Sequence, residues 1–120
     1  MATILIIDDE EIIRVLLRSA LQAAGYEVTE ATNGREGLEL YRDRPADLVI
    51  TDILMPELNG LDMLLELTRE FLDAKVIAIS GAGEERTVLD VAKLFGARQT
   101  FQKPFSMPQL LSAVRYELEH

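Results

Sequence analysis

Four places in this chain set chemistry-bearing side chains at the end of a β-rich run. Asp8 and Asp9 follow TILII, with Glu10 and Glu11 next in line. Asp52 follows LVIT, Ser80 follows VIAI, and Lys103 stands before Pro104 in the stretch FQKPF. If Asp8, Asp9 and Asp52 converge, their like charges repel, and some must protonate unless a cation compensates. Oxygen ligands that leave positions open for water and phosphate suit Mg²⁺. Ser80 adds a neutral hydrogen-bond donor and Lys103 a counter-charge. Each residue alone has a plainer reading. Acids favour the first turn of a helix, which accounts for Glu10 and Glu11. Asp52 and Ser80 suit turns, and Lys103 suits a solvated loop. Helix capping does not account for Asp52, so far along the chain from the acid pair.

The elements that would position these residues can be read from periodicity. Short β-rich runs occur at Thr3–Ile7, Glu27–Ala31, Leu48–Thr51, Lys75–Ile79 and Gln99–Phe101, with helical segments between them. That is the rhythm of repeated βα units. The first, third and fourth runs are almost wholly apolar, as strands covered on both faces are. Glu27–Ala31 alternates polar and apolar, as an edge strand does. Gly25 and Gly96 stop the helices Glu11–Ala24 and Glu84–Phe95. Asn33-Gly34 opens the second helix, and Asn59-Gly60 precedes the third, Leu61–Leu72. Ser106 caps the last, with Pro108 in its first turn. The expected architecture is α/β: a doubly wound (βα)5 three-layer sandwich around a parallel five-stranded sheet, in the flavodoxin-like order 2-1-3-4-5. In such a sheet, sites form beyond the C-terminal strand ends. The four polar groups all fall there.

Composition narrows the function. The 120 residues suit one domain, and a hydrophobic share of 48% fills one core. A net charge of −9 disfavours nonspecific binding to nucleic acid or to an anionic membrane. No cysteine is present, which excludes disulfides and thiolate metal sites and fits a reducing cytoplasm. The first residues carry neither a basic leader nor a long apolar run, so neither a signal peptide nor a membrane span is expected.

Taken together, ILIIDDEEIIR, DLVITDILMPELNGLDML, VIAISG and FQKPF resemble the receiver domain of bacterial two-component response regulators. The resemblance spans nearly the whole chain and implies a role for each residue. Asp52 is the phosphoacceptor, charged by a histidine kinase or a histidine phosphotransfer protein. Asp9 and Asp52 ligate Mg²⁺, Asp8 acts largely through water, and the backbone carbonyl of Leu54 adds a ligand. Ser80 and Lys103 bind the phosphoryl group, and the bond before Pro104 is cis. The domain is then a phosphoacceptor signalling domain, not an enzyme with a separate substrate, although it promotes its own phosphorylation and dephosphorylation.

The chain departs from the family pattern at Thr100, where an aromatic residue is common. A ring switch there is doubtful; Ser80 and Thr100 remain able to couple by hydroxyl movement. Leu54 and Ala82 stand where polar side chains orient the hydrolytic water. We therefore expect slow to moderate loss of the phosphoryl group, measured as its decay with Mg²⁺ present; decay within seconds would contradict this.

On the first helix, Ile13, Leu16, Leu17, Ala20, Leu21 and Ala24 form the expected buried stripe, with Ile12 and Val15 at its margin. The resemblance suggests that Ile12 or Ile13, with Pro104, docks a phosphotransfer helix. A second candidate surface lies on the fourth helix, fifth strand and fifth helix, with Arg86, Lys93, Arg98, Gln99 and Gln102. The expected domain is residues 1–117, with 118–120 reading as an expression-tag remnant. An aspartate-nucleophile phosphatase would need an acid at Leu54. A nucleotide-binding domain would need glycines after the first strand, where acids stand instead. The remaining alternative is a degenerate receiver that acts as a phosphorylation-independent interaction module.

Overall fold

Strand and helix alternate along the chain. The order is β1 (Thr3–Ile7), α1 (Glu11–Ala23), β2 (Glu27–Ala31), α2 (Gly34–Asp43), β3 (Leu48–Asp52), α3 (Gly60–Glu70), β4 (Val76–Ser80), α4 (Arg86–Leu94), β5 (Gln99–Gln102) and α5 (Met107–Glu119). The structure is a computed structural model that describes residues 1–53, 59–81 and 86–120, with only the backbone of Arg86. The strands form one sheet in the order β2-β1-β3-β4-β5, and every pairing is parallel. This is the expected doubly wound order.

Handedness explains the layers. From β1 the chain steps one way to β2; every later step runs the other way. Right-handed crossovers then put α1 on one face and α2, α3 and α4 on the other. The cores follow. Leu5, Ile7, Val49, Val76 and Ala78 face Leu38, Met63, Leu64, Leu67 and Ala92 of the three-helix layer. Ile4, Ile6, Leu48, Ile50, Ile77 and Ile79 face Leu17 and Leu21 of α1 and Leu110 and Val114 of α5. Alternate residues of each central strand serve opposite layers, which is why these strands read as unbroken apolar runs.

Local signals end the helices as expected. Gly25 and Gly96 adopt φ +95° and +113° past α1 and α4. The side chains of Asn33, Asn59 and Ser106 accept from the backbone N–H groups of Glu36, Asp62 and Gln109. α5 continues through Leu118, which packs against the core, to Glu119. Two expectations need correction. Leu72, read from sequence as helical, lies beyond α3 and is 90% exposed. The chain turns extended at Phe71, whose ring meets Tyr41 edge-on at 4.9 Å.

The α1 stripe is also narrower than expected. Ile13, Leu17 and Leu21 face the sheet, but Leu16 is 54% exposed and Ala24 is exposed beyond the helix end. The flank taken by apolar residues in the sequence reading belongs instead to Arg14 and Arg18. Both guanidinium groups pair with Glu30 on β2, at 3.4 and 2.6 Å. Ile12, Val15 and Leu16 are left as an exposed apolar ridge.

At the end of the sheet where β4 and β5 begin, Glu117 of α5 is buried. Its carboxylate accepts from Gln99 Nε2 at 2.9 Å and lies 3.6 Å from Arg98. Its backbone carbonyl accepts from Lys75 Nζ at 2.5 Å. Among the described residues, no helix is long and apolar enough to cross a membrane.

Candidate functional site

The site forms where the strand order reverses, between β1 and β3, the place where α/β sheets open a crevice. Asp8 follows β1, and its N–H donates to the Ala31 carbonyl at 3.1 Å. Asp52 ends β3 and Ser80 ends β4. Lys103 leaves β5 with its N–H donating to the Ser80 carbonyl at 2.8 Å. The Lys103-Pro104 bond is cis, as the resemblance implied. Asp8, Asp9, Glu10 and Asp52 each bring a carboxylate oxygen within 4.8 Å of the others. Asp8 and Asp52 are buried, while Asp9 and Glu10 are exposed.

Lys103 reaches back across the sheet edge, and its side chain is only 12% exposed. Its Nζ lies 2.9 Å from Glu10 Oε1, 3.3 Å from Asp8 Oδ2 and 3.4 Å from Asp52 Oδ2. Burial pushes the Asp52 carboxyl up to about 6; the charge of Asp8 adds to the rise and Lys103 opposes it. Burial likewise raises Asp8, partly offset by the Glu10 N–H and by Lys103. Burial alone would depress the Lys103 ammonium. The hydrogen bond that Lys103 donates to Glu10 and the charges of Asp52 and Asp8 outweigh it and hold the group above the ordinary lysine value.

Two buried polar atoms have no hydrogen-bond partner among the described residues: Asp52 Oδ1 and Ser80 Oγ. They belong to the end residues of adjacent strands. Unspent polar groups are rare in buried positions and favour a site built for something that arrives.

The structure thus brings together Asp8, Asp9, Asp52 and Lys103, with Ser80 ending the strand next to Asp52. Thr100 is half-buried and in register with Ala78, so it shares a sheet face with Ser80, two residues on. Leu54 and Ala82 lie outside the described residues. Ile12 is 74% exposed, and Ile13 lines a groove of about 410 Å³ with Leu16, Lys103, Pro104, Phe105 and Met107. On the second surface, Lys93 and Arg98 are exposed, but Arg98 and Gln99 are engaged by Glu117.

Two residues escaped the sequence reading. Glu10 is the nearest of the three carboxylates around Lys103, although its place at a helix start has a local explanation in capping. Arg14 donates to the Asp8 carbonyl at 2.7 Å and lies 3.4 Å from Glu30, bracing the end of β1. Its signal was a basic residue on the first helix opposite an acid on the edge strand.

A flavodoxin-like α/β domain with an acidic cluster and a buried lysine at its switch point is the class that fold and site define. The chain belongs to the response regulator receiver family: the family's model, described as the response regulator receiver domain, matches residues 4–115. It is 39% identical over 112 residues to the chemotaxis protein CheY of Thermotoga maritima, covering 92% of each chain. It is 38% identical over 122 residues to the sensor kinase CckA of Brucella abortus, covering 98% of this chain and 13% of the kinase. Among solved structures, the receiver domain of NtrX from Brucella abortus superposes with a TM-score of 0.91 at 32% identity, covering 97% of this chain and 98% of that one.

Proposed function

We propose that this receiver domain accepts a phosphoryl group on Asp52 in a Mg²⁺-dependent reaction and relays the signal through a conformational change. The carrying observation is the unpartnered, buried Oδ1 of Asp52 beside carboxylates and a lysine. The donor is a phosphohistidine on a histidine kinase or histidine phosphotransfer protein. One carboxylate oxygen of Asp52 forms the new bond to phosphorus. The phosphorus–nitrogen bond breaks with its electron pair kept by the imidazole nitrogen, which takes up a proton. No general base is needed, because an ionised carboxylate is already the nucleophile. Transfer passes through a loose transition state with charge on the equatorial oxygens, so positioning and neutralisation dominate. Lys103 neutralises from one side, and Ser80 Oγ donates a hydrogen bond.

The donor set fits a hard cation: carboxylate oxygens only, two of the groups exposed to water. Asp9, Asp52 and the Leu54 carbonyl would hold Mg²⁺, with Asp8 acting through water. The ion, when bound, would neutralise charge alongside Lys103. It would also relieve the repulsion that raises Asp52. The groove beside Ile12, Ile13 and Pro104 is the proposed dock for the donor's helix, since it adjoins both the exposed ridge of α1 and Lys103.

Incubation with phosphoramidate or acetyl phosphate tests the reading. With Mg²⁺ we expect a mass gain of one HPO₃, about 80 Da, absent without the ion and absent in Asp52→Asn. A gain that survives Asp52→Asn, or none at all, would overturn it in favour of a phosphorylation-independent module.

A further inference from the structure

Lys103 has three carboxylates in reach, and the nearest plays no part in the function proposed above. Its Nζ is closest to Glu10 Oε1 at 2.9 Å, ahead of Asp8 and Asp52. Glu10 occupies the N-cap position of α1, yet its side chain makes no capping bond. Its carboxylate reaches instead to a residue 93 positions along the chain. The side chains of Asp8 and Asp52 are almost fully buried, whereas that of Glu10 is 59% exposed.

We propose that Glu10 is a positioning residue: it tethers the Lys103 ammonium in the empty site and must release it when a phosphoryl group arrives at Asp52. This rests on the assignment of Asp52 as phosphoacceptor and Lys103 as its phosphoryl-binding partner. On loading, the Asp52 carboxylate becomes a neutral acyl oxygen, and the dianionic phosphoryl group takes its place as a stronger acceptor of the ammonium's N–H donors. Drawing Nζ toward that group stretches its two remaining pairs, to Asp8 and Glu10. Asp8 is buried, so leaving it unpaired is costly. Glu10 returns to water at little cost. Its pair therefore exists in the empty state and weakens in the loaded one. An interaction present only in the empty state favours that state, and its removal shifts the balance toward the loaded one. Glu10 sets a threshold for loading.

Beryllofluoride, which mimics an aspartyl-bound phosphoryl group, gives the test. It is titrated calorimetrically into wild type and Glu10→Gln, both saturated with Mg²⁺. We expect Glu10→Gln to bind it about 3- to 5-fold tighter at low ionic strength, with the gap closing in roughly 1 M salt. In the empty protein, the Lys103 Hε–Cε resonance should shift in Glu10→Gln; a merely structural change would not single it out. Equal affinities, or an unmoved resonance, would overturn the tether. So would Glu10→Gln binding Mg²⁺ alone more than about 10-fold weaker, which would make Glu10 a metal ligand. Wild type that binds no beryllofluoride, and gains no mass from phosphoramidate, would sink the phosphoacceptor assignment as well.

Discussion

Asp52→Asn should make the metal-free protein more stable at pH 7, by roughly 2–3 kcal/mol. The cause is the raised carboxyl of Asp52, at about 6 instead of the ordinary 3.8. An acid whose folded value lies above its unfolded value ionises more readily in the unfolded chain. Stability is thus lost as pH rises from about 4 to about 6 and is level above that. At pH 7 the full penalty is present in wild type and absent in the amide variant. Lys103 keeps Asp8 and Glu10 as partners, so the substitution leaves no buried cation unpaired. In thermal unfolding the gap should approach 10 °C. It should shrink by about half at pH 5 and further toward pH 4, as the wild-type carboxyl takes up its proton. Saturating Mg²⁺ should stabilise wild type more than the variant and narrow the gap. A variant no more stable than wild type at pH 7, or a gap unchanged at pH 5, would falsify the assignment of Asp52 as a strained carboxylate.

Gly60→Ala should be strongly damaging for so small a substitution. A methyl group at residue 60 would lie 2.3 Å from the Asp52 carbonyl oxygen, 2.5 Å from Ile53 Cα and 2.7 Å from the Ile53 carbonyl oxygen. All three are backbone atoms and cannot rotate away. The Gly60 N–H also donates to the Ile53 carbonyl at 2.6 Å, so α3 begins tight against the end of β3. Accommodation must move either the helix start or the strand end that carries Asp52. We expect a loss of about 3 kcal/mol in urea unfolding. Phosphorylation by phosphoramidate should fall about 100-fold, since a shift near 1 Å has that effect on a positioned group. Gly37→Ala is the control. The three atoms nearest its methyl all belong to the Ile7 side chain, at 2.3 Å from Cδ1 and 2.7 Å from Cγ1, and a side chain yields more readily than backbone. Its loss should be smaller and should leave phosphorylation near wild type. The two variants behaving alike would refute the backbone argument.

These contrasts show what a sequence discloses. The central strands were legible because Ile4 to Ile7 and Val76 to Ile79 must satisfy two apolar layers at once, and only unbroken apolar runs do so. The strand ends were legible because Asp8, Asp52 and Ser80 break those runs abruptly, and because a lone lysine, Lys103, stands before Pro104 past the fifth strand. Leu16 was misplaced because periodicity marks an apolar side of a helix without saying how wide the contact is. Arg14 and Arg18 took the inner flank through Glu30, a pairing between elements that no local pattern announces. Glu10 was hidden for a related reason. An acid at a helix start satisfies a local rule, and its bond to Lys103 emerges only when the sheet closes. Thr100, which stands out in the sequence only against the family resemblance, is half-buried in register with Ala78 and offers no bulky ring to move.

The buried Glu117 makes β5 a lever. Its clasp on Lys75, Arg98 and Gln99 fixes the point where β4 and β5 enter the sheet. Lys103 lies four residues beyond Gln99, an arm of about 13 Å. With the fulcrum held, a tilt of roughly 5° carries Lys103 by about 1 Å over that arm. Its distances to Glu10, Asp8 and Asp52 span only 2.9 to 3.4 Å. A movement of that size exceeds the spread among the lysine's three partners.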